Sequence, residues 1–214
     1  MCPVRSRAVI TIVVRVWMPD RPGALGQVAS RIGAVRGDVL AIEILEQGGG
    51  RAIDELTVSL PDEELLSLLT AEIDAVDGVS VESIRVVDPD RTDASLSALA
   101  LGAAIAECAA GERLNVLVGG IRRFSESDWV AVLRDGEQIA AVGAAPDLGW
   151  LIAFLAGSEH LDGLDDSAPS DLLWASMVTS GLTVAAGRSS NPIHERERVR
   201  FSLLARLADA LIAT

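Results

Sequence analysis

The sequence predicts an α+β protein of two domains. About half of its 214 residues are apolar, which is enough for a sizeable core. Apolar residues between positions 9 and 87 follow strand and helix periods in the order strand, helix, strand, strand, helix, strand. That order is the plan of a ferredoxin-like βαββαβ domain. Beyond a polar break, the remaining residues predict a second domain, an α/β unit with a smaller sheet.

Local patterns justify each element of the first half. Residues 9–18 are nearly all apolar and many are β-branched, which predicts a central strand buried on both faces. Three glycines at 48–50 separate two apolar runs, so we expect a hairpin there rather than a phosphate-binding loop. In chain order, the predicted elements are a strand at 9–18, a helix through 25–32, strands at 39–47 and 51–60, a helix at 61–76 and a strand at 81–87.

The polar segment 89–95 contains proline next to aspartates and predicts a linker between domains at 1–88 and 96–214. In the second domain, Asp135-Gly136 joins two apolar runs and predicts a hairpin. The other predicted elements are a helix at 96–111 that ends at Gly111, a helix at 147–156, an acidic loop at 157–170, a strand at 181–188 and a helix at 194–213 with Leu204, Leu207 and Leu211 on one face.

Composition excludes several classes of function. The formal net charge is −13, so nucleic acid is a poor candidate partner. Lysine is absent, which excludes a Schiff-base lysine and a lysine-bearing phosphate loop. Cys2 and Cys108 match no ligand or redox spacing, and Cys108 is expected to be a buried structural thiol. We expect no cofactor and no metal, and the sequence shows no signal peptide or membrane span, which predicts a soluble, cytoplasmic protein.

The short stretch "DRPGAL", where the first strand turns into the first helix, offers the clearest chemistry. A helix start presents backbone N–H groups and partial positive charge, which favours a bound carboxylate. Gly23 lets a ligand approach the backbone, Pro22 suits a first helical turn, and Asp20 can accept a hydrogen bond from an ammonium group. Together these groups describe an amino-acid site. The alternative is that Asp20 is simply the N-cap of the helix.

The first half resembles the ACT domain, a small regulatory module that binds amino acids and related ligands. The resemblance covers residues 9–87, and its most specific piece is "DRPGALGQVASRI", which carries the family's Asp-x-Pro-Gly-x-Leu pattern. Within the family, the sequence resembles the actinobacterial type of amino-acid-binding ACT domain proteins. The resemblance implies that a ligand contacts the junction of one copy and the second strand of a neighbouring copy, hence a homodimer or larger assembly. The implied ligand-binding residues are Asp20, Arg21, Pro22, Gly23, Ala24, Leu25, Asp38, Val39, Leu40 and Ala41.

The second half resembles a shortened GAF domain, another ligand-sensing fold, in its opening helix, its "DWVAVLRDGEQIAAVG" hairpin, a late strand and a terminal helix. The middle departs from that family, because the full set of central strands and a cofactor-binding Cys or His are missing. Taken together, the resemblances imply a non-catalytic regulatory protein that acts through self-association or domain arrangement on a separate effector protein. The alternative is an assembly module that binds a partner protein and no small ligand; a third possibility is an enzyme with a pocket between the halves.

Three further signals are interpreted as structural. His160 lies near Asp162, Asp165 and Asp166, but without regular spacing, which favours a solvated loop over a cation site. In "GRSSNPIHERERVRF", glutamates alternate with the arginines, which favours a solvated helix start over an anion site. The segment "VGGIRRFSESDW" predicts a loop, at which an acidic ligand could enter.

Overall fold

The chain forms two compact units. The computed structural model describes residues 9–158 and 169–213, and the units divide between Arg91 and Thr92, inside the segment 89–95 predicted as a linker. Each unit contains a four-stranded antiparallel sheet. Within those two stretches, every helix is too short or too polar to cross a lipid bilayer.

The first unit has the predicted βαββαβ order. Its elements are β1 (Ile10–Pro19), α1 (Ala24–Ala34), β2 (Asp38–Gly48), β3 (Arg51–Leu60), a 3-10 turn (Glu63–Leu65), α2 (Leu66–Asp74) and β4 (Ser80–Val87). The strands lie in the order β2-β3-β1-β4, so β1 is central as predicted, whereas β2 and β4 form the edges. The predicted helix at 61–76 is shorter than expected, because Asp62 caps the 3-10 turn before α2 begins.

Side-chain alternation places the main core of this unit on one face of the sheet. Val14 and Val16 of β1 and Leu56 of β3 are fully buried with Val28 of α1 and Ile73 of α2. Successive residues of a strand point to opposite faces, so the odd-numbered residues of β1 and β3 lie on the other face of the sheet.

The other face of β1 is buried as predicted, since Val13 is fully buried and Thr11 is 6% exposed, but it is not wholly apolar. Arg15 is 2% exposed and its Nε donates to the carboxylate of Glu55 at 2.8 Å. Arg85 and Arg91 approach the same carboxylate at 3.5 and 3.4 Å. Burial raises the pKa of Glu55, but the positive charges of Arg15, Arg85 and Arg91 outweigh this effect and leave the pKa lowered. A buried ion cluster therefore crosses this side of the sheet.

The second unit has helices on both faces of its sheet. Its elements are α3 (Ala94–Glu107), a 3-10 turn (Ala110–Glu112), α4 (Arg113–Phe124), β5 (Trp129–Arg134), β6 (Glu137–Gly143), α5 (Leu148–Gly157), β7 (Leu172–Met177), β8 (Leu182–Gly187) and α6 (Glu195–Ile212). The strand order is β6-β5-β8-β7. Helices α3, α4 and α6 share one core with Val130 and Val184, and α5 packs on the opposite face against Ala131 and Ala185.

Several predictions for this unit are confirmed and others are wrong. The Asp135-Gly136 hairpin, α5, β8 and α6 are present, but α3 ends at Glu107 rather than at Gly111. The segment expected to be a loop lies mostly in α4, and β7 was not predicted. Gly120 lies within α4, and α3 packs so closely against it that an added Cβ would overlap the side chain of Leu101. The likeness of this unit to GAF domains stays a prediction.

The solvated start expected for α6 is correct only in part: Glu195 and Arg196 are exposed, whereas His194, Arg198 and the preceding Arg188 are buried. Arg188 is 4% exposed and donates to the carbonyl oxygens of Ser125, Asn191 and Pro192 at 3.0, 2.9 and 2.6 Å. Its Nη2 also contacts the carboxylate of Glu197 at 2.8 Å. These four acceptors occupy the guanidinium, so it ties loop carbonyls to the helix instead of presenting a charge to an anion.

Candidate functional site

The junction between β1 and α1, residues 20–23, is a tight turn held by backbone bonds. The Asp20 N–H donates to the Gly50 carbonyl in the β2–β3 turn at 3.0 Å, and the Ala24 N–H donates to the Arg21 carbonyl at 3.2 Å. Gly23 has φ +89°, a left-handed conformation that strains residues with a Cβ. This conformation lets the strand become a helix without a longer loop.

The N-cap of α1 is Gly23, so the alternative in which Asp20 caps the helix is wrong. Pro22 likewise precedes the N-cap and does not belong to the first helical turn. Among the described side chains, none caps the start of α1. The Asp20 carboxylate instead accepts a hydrogen bond from the Gln47 side-chain amide at 3.0 Å. An added Cβ at Gly23 would meet nothing within 4 Å, so the space in front of the helix start is open.

Exposure divides the predicted site residues into two groups. Asp20, Arg21, Pro22 and Gly23 are exposed. Ala24 is 2% exposed and belongs to the core between the sheet and the helices of the first unit, and Leu25 packs against that core. The first four residues are therefore accessible to a ligand, whereas Ala24 and Leu25 anchor the helix to the sheet.

The structure does not bring the remaining predicted site residues, which lie on β2, to this junction. Those residues, at the start of β2, are Asp38, Val39, Leu40 and Ala41. Both β1 and β2 pair antiparallel with β3, and Pro19 and Gly48 both oppose Arg51 at the junction end. Asp38 opposes Ser59, near the far end of β3. Within one chain, the two predicted halves of the site therefore lie at opposite ends of the sheet.

Sequence reasoning missed two residues near the junction, Gln47 and Asp54. Asp54 is 3% exposed, and its Oδ1 is buried without a hydrogen-bond partner in the described part of the chain. Burial raises the pKa of Asp54, and the negative charge of Asp20 raises it further. A signal was present in the sequence, because Asp54 interrupts the alternating apolar positions Ala52, Leu56 and Val58 of a predicted strand.

The structure describes one of the two cysteines but not the acidic segment around His160. Cys108 is half-buried rather than buried, and its thiol donates to the Ile105 carbonyl at 3.4 Å. Cys2 and His160, with the aspartates around His160, lie outside the described residues. Across positions 9–158 and 169–213, no three His, Cys, Asp or Glu side chains are grouped as metal ligands.

The second unit contains a cleft of about 760 Å³ between α5, the β7–β8 hairpin and α6. Four charged side chains line it, those of Asp135, Arg198, Arg206 and Asp209, and two of them are engaged in structural bonds. Arg198 donates to the carbonyls of Pro169 and Leu172. Asp209 accepts from the N–H groups of Thr179 and Ser180, each at 2.8 Å. Burial raises the pKa of Asp209, but these bonds and one from the Ser180 hydroxyl outweigh it and lower the pKa. These charges hold the hairpin to α6.

Comparisons with known proteins support the resemblance of the first unit to ACT domains. The ACT domain family model matches residues 12–78. ACT domains are generally regulatory modules that bind small molecules, and they often oligomerise. Among curated proteins, no match was found.

Three similar solved structures each cover less than half of this chain. An uncharacterized protein from Thermotoga maritima is 18% identical over 38% of this chain and 100% of its own, with a TM-score of 0.31. The ACT domain from GTP pyrophosphokinase of Chlorobium tepidum is 16% identical over 37% of this chain and 100% of its own, with a TM-score of 0.31. A formyltetrahydrofolate deformylase from Pseudomonas putida KT2440 is 16% identical over 42% of this chain and 36% of its own, with a TM-score of 0.28.

Proposed function

We propose that this protein is a non-catalytic regulator whose first unit binds an amino acid at the β1–α1 junction. The observation that carries the proposal is the exposed turn at residues 20–23, which leads into a helix whose start has no side-chain cap among the described residues. A helix start of this kind attracts a carboxylate through its N–H groups and its partial positive charge. The carboxylate of Asp20 supplies the opposite charge for an ammonium group.

A second copy of the chain would complete the site. Strand β2 is an edge strand of eleven residues, and Ile42 and Ile44 on it are each 46% exposed. If two β2 strands pair antiparallel about Glu43, residues 38–41 of one copy lie beside the Gln47 end of the other. Gln47 contacts Asp20, so this pairing would bring together the two halves of the predicted site that one chain keeps apart.

The proposed mechanism is differential binding. An amino acid that bridges the junction of one copy and the β2 start of another binds the paired state more tightly than the separate chains. A ligand shifts an equilibrium only by its difference in affinity for the two states. In this proposal, the paired state acts on a separate effector protein. The exposed isoleucines on β2 also support the second candidate function, an assembly module that uses this edge without a small ligand.

Replacing Asp20 with asparagine is expected to weaken amino-acid binding by about ten- to a hundredfold, because it removes a charge-assisted hydrogen bond of about 1.5–3 kcal/mol. The measurement is thermal unfolding of the protein against each of the twenty amino acids at millimolar concentration, since ligands that bind the native state raise the midpoint. Asp20 is a better target than Gly23, where any side chain would add backbone strain.

The matched control is Asp90→Asn, which makes the same change at an exposed position after β4, away from the junction. Asp90→Asn should keep the ligand-induced shift of the original protein. If no amino acid raises the midpoint of the original protein, ligand binding at the junction is rejected and the assembly module becomes the better description.

Replacing Ile44 with aspartate is expected to shift a self-association equilibrium toward monomer by about tenfold or more, because it places charge in an apolar edge. Val86→Asp makes a comparable change on the opposite edge strand, where Val86 is 52% exposed. Sedimentation velocity over a range of concentrations measures both variants. Equal behaviour of Ile44→Asp and Val86→Asp would exclude β2 as the pairing edge.

A further inference from the structure

We propose that Asp54 is a second ligand-binding carboxylate of the junction, which receives the ammonium group of the bound amino acid together with Asp20. This inference rests on the proposed function and adds a residue and a ligand requirement to it: the ligand must carry a free ammonium group.

Asp54 lies on the side of the sheet that carries α1. It alternates along β3 with Ala52 and Leu56, which belong to the core under the helices. Its cross-strand neighbour on β1 is Val16, a member of the same core. Ala24, the first residue of α1, also packs into this core. The carboxylate of Asp54 therefore lies on the side of the sheet from which α1 begins.

Asp54 also lacks a partner that its burial requires. The residue is 97% buried, given its exposure of 3%, and no described group donates to its Oδ1. A buried carboxylate without a hydrogen-bond donor is costly, and native proteins rarely keep one without a role. Its counterpart on the other face, Glu55, is surrounded by three guanidinium groups. The two neighbouring carboxylates of β3 thus have opposite electrostatic environments.

The charges near Asp54 indicate what kind of group would bind there. Burial raises the pKa of Asp54 and the negative charge of the Asp20 carboxylate raises it further, while Asp20 itself accepts a hydrogen bond from the neutral amide of Gln47. Two arginines at this end of the sheet, Arg21 in the turn and Arg51 opposite Pro19, are directed elsewhere. Arg21 donates to the Gln27 side chain at 3.5 Å, and the guanidinium of Arg51 lies 5.4 Å from the ring centre of Trp17. A positive group between the two carboxylates would relieve their repulsion.

An ammonium group fits this position better than a metal ion. Calcium takes six to eight oxygen ligands, whereas Asp20 is the one described carboxylate whose charge raises the pKa of Asp54. An ammonium group has three donors and can bind both carboxylates at once. The carboxylate of the same amino acid can then bind the first-turn N–H groups of α1. The exposed Gln47 amide donates to one oxygen of Asp20, and the ammonium group would displace it.

The test compares binding of an amino acid with binding of the acid that lacks its amino group. The probes are the twenty amino acids and, for each one that binds, the corresponding deaminated carboxylic acid and the N-acetyl derivative. Calorimetry measures their affinities for the original protein, Asp54→Asn and the control Asp90→Asn. We expect Asp54→Asn to weaken the amino acid at least about tenfold and to leave the weak binding of the deaminated acid unchanged.

The outcomes distinguish failure of this inference from failure of the proposed function. If Asp54→Asn binds the amino acid as tightly as the original protein, Asp54 is not a ligand group, although the junction remains a site. If no amino acid binds the original protein, both proposals are rejected. A second measurement does not depend on the folding of a variant: binding should move the Asp54 side-chain carboxyl resonance in a ¹³C NMR spectrum. An unmoved resonance at saturating amino acid would overturn the inference.

Discussion

Replacing Glu55 with glutamine is expected to lower the free energy of unfolding of the first unit by about 3–5 kcal/mol, the usual effect of removing one partner of a buried ion pair. The change leaves Arg15, which is 2% exposed, without its charged partner at 2.8 Å. Arg85 and Arg91 lose the same carboxylate. Urea unfolding followed by circular dichroism, fitted to separate transitions of the two units, measures the difference.

The matched control is Glu72→Gln, which breaks the exposed ion pair between Arg31 and Glu72. Pairs on the surface contribute about 0–1 kcal/mol, so this control should unfold almost like the original protein. If Glu55→Gln also costs less than about 1 kcal/mol, the buried cluster does not stabilise the fold.

The same cluster predicts how stability depends on pH. The folded-state pKa of Glu55 is lowered from the ordinary value of 4.5, so its carboxylate stabilises the folded state above pH 4.5. That stabilisation is lost as the pH falls from 4.5 through the folded-state pKa. Over this window the free energy of unfolding of the original protein should decline toward that of Glu55→Gln, whereas at neutral pH the two should differ most.

Replacing Gly143 with alanine is expected to destabilise the second unit by about 3 kcal/mol. Gly143 has φ +80°, which costs a residue with a Cβ about 1–2 kcal/mol. An added Cβ would also overlap the Asp128 carbonyl oxygen and lie 2.9 Å from the Cα of Trp129. Relieving such a clash with backbone costs about 1–3 kcal/mol, because the β5–β6 pairing at Trp129 and Gly143 must shift.

Gly136→Ala isolates the contribution of the clash. Gly136 has nearly the same φ, +79°, but an added Cβ there meets only the end of the Ile152 side chain at 3.9 Å. We expect it to lose only the conformational cost of about 1–2 kcal/mol. Thermal unfolding followed by tryptophan fluorescence compares the two variants, since Trp129, Trp150 and Trp174 all lie in the second unit. Equal losses would show that the strand end can adjust without cost.

Much of the fold follows from the sequence because local patterns decide it. The alternation of residues 51–60 and the glycines before them predict β3 at the bounds that the structure has. Asp135-Gly136 likewise predicts the β5–β6 hairpin, since both residues adopt the positive φ that this turn requires. The Asp-x-Pro-Gly-x-Leu stretch indicates the strand-to-helix junction of the first unit. These features depend on a few neighbouring residues, which one sequence displays.

The tertiary structure decided the rest, because contacts between distant residues override or complete the local patterns. Gly119-Gly120 is typical of a loop, yet both residues lie within α4, where Gly120 packs closely against Leu101 of α3. Sequence alone places Asp20 at a helix start, but only the left-handed conformation of Gly23 shows which residue is the N-cap. Pairing through β3 separates the two halves of the predicted ligand site. The same pairing buries Asp54 on the side of the helices, and neighbours fixed by strand register cannot be read from residue order.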